Sequence, residues 1–215
     1  MALWPFNKAD VGLSNVDNTT DLAKPVSTAQ QTALDLKAPS DPNRLVIGEE
    51  VYSRGLLTAS AVVSTSGNLR LVYFTALKAQ TTTQVRVQGG STAAAATPTV
   101  IENGLYEINA AGDGTRVAVT ANDTSLYSVA NGRYTRLWGP YDMVVGQRYA
   151  LSWLIVSAVA TPTYLGYTLA STADLELGLS PRLTGRVSGA TTTPVSFTAA
   201  SVSDTFTRPY GVILP

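Results

Sequence analysis

The chain has 215 residues, 45% of them apolar and only 14% charged against a usual figure of about a quarter, so it is built to bury surface and wholesale disorder is excluded. Its 15 basic and 15 acidic residues cancel, and no cluster of Lys and Arg gathers into a phosphate-neutralising surface, which argues against nucleic acid as a partner. With no Cys and no His there is no disulfide, thiolate nucleophile, imidazole base or common zinc or copper site, so no metal or cofactor is expected and rigidity must come from packing and association.

The amino-terminal stretch Met1 to Lys8 lacks a basic region followed by an apolar one, and is not read as a secretory signal. Trp4 and Phe6 flank Pro5 in a segment too short to fold alone. Two readings fit them: anchors that plug into another protein, or rings that fold back on the chain's own helix. Composition shifts near residue 40, where Ala38-Pro39-Ser40-Asp41-Pro42 denies helix to the residues before each proline. This reads as a hinge or linker that divides the chain into residues 1–40 and residues 41–215, the latter one domain. Upstream of the break, Ser27-Thr28-Ala29-Gln30 fits a capping box, predicting a helix from about Thr28 to Lys37. Val26, Ala29, Ala33 and Leu36 are spaced three, four, three, as in a coiled-coil seam. A ten-residue helix is marginal alone, since isolated helices need roughly 12 to 15 residues, so it is expected to pack on copies of itself or on the following domain.

From Arg44 onward the pattern is β. Strands are expected near 48–54, 56–64, 69–77, 83–88, 104–109, 115–120, 133–138, 148–157, 163–168, 182–187 and 209–214, with turns at Ser66-Gly67-Asn68, Gly112-Asp113-Gly114, Asn131-Gly132, Gly139-Pro140 and Val145-Gly146-Gln147. The 104–120 hairpin is the clearest of these, and Ser91 to Pro98 is expected as a loop. Tyr149, Leu151, Trp153 and Ile155 read as core. The longest nearly apolar run, Ala150 to Ala160, falls well short of the roughly 20 residues a membrane helix needs, so bilayer insertion is not expected. The expected fold is therefore mainly β: a short N-terminal helix followed by a jelly-roll-like antiparallel β-sandwich.

Strand alternation places Tyr134, Arg136 and Trp138 on one face and Thr135 and Leu137 on the other. An Arg between two aromatics suggests a face outside the dry core, where rings stack on sugars and Arg bonds to hydroxyls or carboxylates, with Tyr141 joining beyond the Gly139-Pro140 turn. The competing reading puts the same face against a neighbouring subunit or over the sandwich edge, with Arg136 extended to water. Glycosidase chemistry needs two carboxyl groups across a cleft. Asp174 with Glu176 and Glu102 with Glu107 are the candidate pairs, Glu49 and Glu50 fall on opposite strand faces, and a solvated role outweighs catalysis for all of them.

The stretch Val11 to Ala38, VGLSNVDNTTDLAKPVSTAQQTALDLKA, closely resembles a segment of many bacteriophage tail-fibre and receptor-binding proteins, found just upstream of a trimeric domain. The likeness lies in the order VGL-x-NVDNT, KPVSTA, ALDLKA. Downstream, GLYEI, VAVTANDTSLY and VVGQRYALSWLIV are similar in texture to the carboxyl-terminal β domains of minor tail proteins from phages of actinobacteria. The resemblance implies a non-enzymatic virion protein made in the bacterial cytoplasm. It implies a homotrimer with Val26, Ala29, Ala33 and Leu36 near the threefold axis, other virion proteins bound through the N-terminus with Trp4 and Phe6, and a β domain presented to host-surface glycan. The chain carries no long shaft of repeats, so a stubby spike, tail-tip component or capsid-mounted fibre is the expected form. Capsid decoration or a head fibre is the alternative placement, and an envelope depolymerase a more distant one.

Overall fold

The computed structural model describes Ser27, Gln30, and residues 44–45, 60–93, 98–159, 161–168, 183–205 and 207–215. The chain divides into two units, Met1–Ser40 and Asp41–Pro215. In the first unit, Gln30 is helical and its N–H donates to Ser27 Oγ at 3.2 Å, while the Ser27 N–H and hydroxyl donate to Gln30 Oε1 at 3.2 and 3.1 Å. These are the reciprocal bonds of a capping box. The rest of the expected helix, including Ala29, Ala33 and Leu36, lies outside the described residues, as do Trp4, Phe6 and Val26.

The second unit is all β among the described residues, apart from one 3₁₀ turn at Ala199–Ser201. Its strands are β1 (Arg44–Leu45), β2 (Ser60–Val63), β3 (Leu69–Ala76), β4 (Gln80–Gln88), β5 (Val100–Ile108), β6 (Gly114–Val119), β7 (Arg133–Met143), β8 (Arg148–Val156), β9 (Thr163–Thr168), β10 (Thr184–Val187), β11 (Ser196–Phe197), β12 (Thr207–Pro209) and β13 (Gly211–Leu214). Antiparallel pairs join β2 to β9, β3 to β8, β4 to β7 and β5 to β6. Each pair encloses the next in sequence, which is the nesting of a jelly roll.

One layer runs β3-β8-β5-β6, extended by β11 beyond β6 and by β10 and the short parallel β1 along the other edge of β3. The facing layer is made of β2-β9-β12 and β13-β4-β7, two three-stranded sheets joined where Gly89 bridges Tyr164. The carboxyl-terminal strands wedge between β9 and β4, so the direct contact of those two strands is reduced to that bridge and a Gly90 N–H to Thr163 carbonyl bond of 2.8 Å.

The main core lies between the layers: Val72, Phe74, Leu105, Tyr149, Leu151, Trp153 and Ile155 from the first meet Val85, Val87, Tyr164 and Ile213 from the second. A second core covers the opposite face of the first layer, where Leu69, Leu71, Tyr73, Tyr106, Ala150 and Leu154 pack under Phe197 and Val202. Strand β8 is thus buried on both faces, which explains its nearly unbroken apolar sequence.

Three expectations are corrected. Gly139-Pro140 is not a turn: β7 runs through it to Met143, and the register against β4 slips between Thr82 and Gln84 to absorb the extra residues as a bulge. Pro140 is tolerated because β7 is the edge of its sheet and the bulge asks no ladder donor of it. Strand β5 begins at Val100 rather than 104, and the last strand is split at Tyr210 as the chain changes partner from β9 to β4. Strands β1 and β11 were not expected, and 48–54 lies outside the described residues.

Candidate functional site

Strand β7 and the preceding loop carry the residues with the richest side-chain chemistry. The alternation places Tyr134, Arg136 and Trp138 together, as the sequence indicates, but that face turns inward. Trp138 is 5% exposed within the main core, whereas Leu137 on the opposite face is 70% exposed. Trp138 therefore offers no ring to a sugar, and its assignment as a glycan platform is corrected. Tyr134 and Tyr141 are half-buried and pack against the same core.

The loop between β6 and β7 is the reason. It folds back to insert Leu126 and Tyr127, both fully buried, into the end of the sandwich. Tyr127 adopts φ +63°, a conformation costly for an aromatic residue, and its ring meets Tyr134 and Tyr164 edge-on at 5.6 and 5.3 Å. Bonds on either side pin the loop: Asn122 Oδ1 accepts from the Ile101 N–H at 2.9 Å, and Asn131, at φ +58°, donates its N–H to the Gly90 carbonyl at 2.7 Å.

Arg136 holds this arrangement electrostatically. Its Nε and terminal nitrogen both reach Asp123 Oδ2 at 2.6 Å, and its guanidinium lies 5.7 Å from the Tyr134 ring centre. Asp123 Oδ1 accepts from the Ser125 N–H and hydroxyl at 2.9 and 2.5 Å. Burial alone would raise the Asp123 carboxyl, but the bonds from Ser125 and Arg136 outweigh it and hold the group below its ordinary value. Arg136 is thus the ionic clasp of a loop, with its side chain partly open to water.

At the other end of β7, Tyr141 donates its hydroxyl to Glu107 Oε2 at 2.9 Å; burial first, then Tyr149 and Glu107, push that phenol up. Glu102 lies on the opposite face of β5, where it accepts from the Thr193 N–H at 2.7 Å. Glu102 and Glu107 therefore do not face one cleft, and each carboxylate serves a structural bond. Asp174, Glu176, Glu49 and Glu50 lie outside the described residues. Among the described residues no three acidic side chains gather where a metal ion could sit, and no helix is long and apolar enough to cross a membrane.

One cluster escaped the sequence reading. Arg70, in the apolar run Leu69-Arg70-Leu71-Val72, points between the layers and is 7% exposed. Its terminal nitrogen donates to the hydroxyls of Thr205 and Thr207 at 2.7 and 2.5 Å, and its other terminal nitrogen to the Val63 carbonyl at 3.4 Å. Arg186 is its direct cross-strand neighbour on β10. A charged residue inside an otherwise apolar strand was the available signal, but only the fold brings Arg186 and the threonines to it. No family model matches the chain and no curated protein matches it.

Proposed function

We propose that this chain is a structural virion protein of a bacteriophage, a tail-fibre or minor tail subunit that trimerises through residues 11–38 and presents its β-sandwich to the host surface. The observation that carries the reading is the segment Val11 to Ala38, with its VGLSNVDNT, KPVSTA and ALDLKA steps in order. The reciprocal Ser27 and Gln30 bonds support it, because they are the bonds of a capping box and fall at the KPVSTA step, where this reading begins the seam helix. A short seam of Val26, Ala29, Ala33 and Leu36 gains stability by burying three copies together, which a single copy lacks the apolar surface to do.

Host contact, with surface glycan as the proposed receptor class, then falls to the exposed rims of the sandwich rather than to Trp138. Half-buried Tyr134, Arg136 and Tyr141 are engaged in internal bonds, so a sugar would meet their edges only.

Sedimentation of the full-length chain tests the assembly. The expected result is a trimer that Val26→Asp with Leu36→Asp converts to a folded monomer. A wild-type monomer, or a trimer unmoved by both substitutions, overturns it. Labelled antibody on intact particles separates a tail position from the capsid-decoration alternative.

A further inference from the structure

We infer that the outer face of β4, β7 and β13 is a docking surface for a second copy of this chain, packed across a two-fold axis that crosses the strands at Leu137. Val85, Val87, Trp138 and Ile213 belong to the main core, so their strand neighbours Gln84, Arg86, Leu137 and Leu214 point away from it. Leu137, Gln84 and Leu214 are paired in register and form one row across the three strands. Leu137 is the most exposed large apolar side chain among the described residues. Edge-to-edge pairing of β7 is obstructed where Thr120 bridges Trp138, which leaves the face as the surface open to a partner.

A residue on a two-fold axis meets its own copy and must suit it. The row does so: leucine packs on leucine, and the Gln84 amide, both donor and acceptor, bonds to a second amide of the same kind. Gln84 donates from Nε2 to the Pro215 carbonyl at 3.3 Å, which leaves another N–H and its own carbonyl for that purpose. Off the axis the requirement is opposite charge, and Arg133 and Asp142 supply it. Both are exposed on this face, Arg133 opposite Gln88, four positions from Gln84, and Asp142 opposite Thr81, three positions away on the other side. At ~3.3 Å per residue they stand about 13 and 10 Å from the axis. Rotation about the axis reverses the strand direction and lays each Arg133 against the Asp142 of the second copy, twice by symmetry. A two-fold running along β7 would oppose Arg133 to Arg133 instead. Among the described residues neither has an ion-pair partner of its own; Asp142 accepts from the Thr81 hydroxyl at 2.5 Å through Oδ1. A patch three strands wide buries well under the roughly 1,200 Å² of a stable complex, so the pairing is expected to be weak, with a Kd of about 100 μM. The inference concerns the β unit alone and does not depend on how residues 11–38 assemble.

The chain has no cysteine, so Leu137→Cys carries one thiol per copy. Gentle oxidation of that full-length variant, at or above about 100 μM, is expected to give a covalent dimer, because a residue on the axis meets itself within disulfide reach. Val195→Cys, comparably exposed in the connection before β11, is the control and stays unlinked. Sedimentation of the full chain over a concentration series reads the strength of the same step. Arg133→Asp or Asp142→Arg alone is expected to weaken it by about tenfold or more, since each change acts twice across the axis, and the two together restore it. Charges that are merely solvated would show no such rescue. Cross-linking of Leu137→Cys no better than that of Val195→Cys overturns the inference and leaves the face to a partner of another kind. A double charge variant that stays as weak as the single ones overturns it too. Substitutions in the 11–38 seam leave these results unchanged, so failure here is separate from failure of the trimer. The two single-cysteine variants decide the matter by themselves should a charge variant fail to fold.

Discussion

Asp123 decides how the β6–β7 loop responds to pH. Its carboxylate is bonded by Arg136 and Ser125 in the folded chain and is held below the ordinary carboxyl value of 3.8. A group depressed in this way stabilises the fold fully above its unfolded value, and the contribution is lost as pH falls through the lower, folded one. Asp123→Asn is therefore expected to cost about 1 kcal/mol at neutral pH, the modest figure appropriate to a pair whose side chains are 25% and 33% exposed. Urea unfolding of the two proteins should show that gap closing in acid, below the ordinary carboxylate range. A gap of the same size at both pH values would mean that the asparagine disturbs packing rather than charge. Nothing in the local sequence reveals this pair: Asp123 and Arg136 are separated by a loop whose path depends on Leu126 and Tyr127 being driven into the core.

Strands β7 and β8 mark how far an element is legible from its pattern. Alternation correctly groups Tyr134, Arg136 and Trp138, because side-chain direction in a strand is a local property. Which group faces the core is not local, and charge content misleads here: the face holding Arg136 is the inner one, since Asp123 and the Tyr134 ring meet the guanidinium at the rim. Strand β8 carries the complementary lesson. Its odd positions Tyr149, Leu151, Trp153 and Ile155 are core as its sequence indicates, but Ala150 and Leu154 are core as well, under a cover supplied by residues more than forty positions away. The orientation of β7 is open to direct measurement. Trp138→Ala should cost about 3 to 5 kcal/mol by opening a cavity between the layers, whereas Leu137→Ala, on the exposed face, should fall within about 0.5 kcal/mol of wild type. Denaturant midpoints that rank the two the other way would place Trp138 outside.

At the scale of the whole molecule, the strand pairs nest: β5 with β6 innermost, then β4 with β7, β3 with β8, and β2 with β9. Only the innermost pair was legible as a hairpin, because its turn closes over a few residues: Gly112 N–H reaches the Asn109 carbonyl at 3.0 Å, with Gly112 at φ +88°. The outer pairs join residues as far apart as Ser60 and Gly166, and no local signal specifies such partners. The same nesting orders the folding reaction. Each outer pair closes a long loop at an entropic cost that falls once the pair inside it has formed, so the β5–β6 hairpin is the expected nucleus of a slow, topology-limited reaction. Gly112→Ala forces a left-handed conformation on a residue with a Cβ and should cost about 1 kcal/mol or more. That loss is expected in the refolding rate, with unfolding nearly unchanged, because the turn is already formed at the barrier. Gly189→Ala is the control for backbone strain alone: its φ of +78° imposes a similar strain, its Cβ position is open whereas that of Gly112 lies 3.2 Å from the Ala199 Cβ, and it lies in the connection from β10 to β11 outside the nested pairs. It should speed unfolding and leave refolding alone. Stopped-flow measurements on both proteins decide the point, and equal slowing of refolding by the two alanines would rule out a nucleus at the inner hairpin.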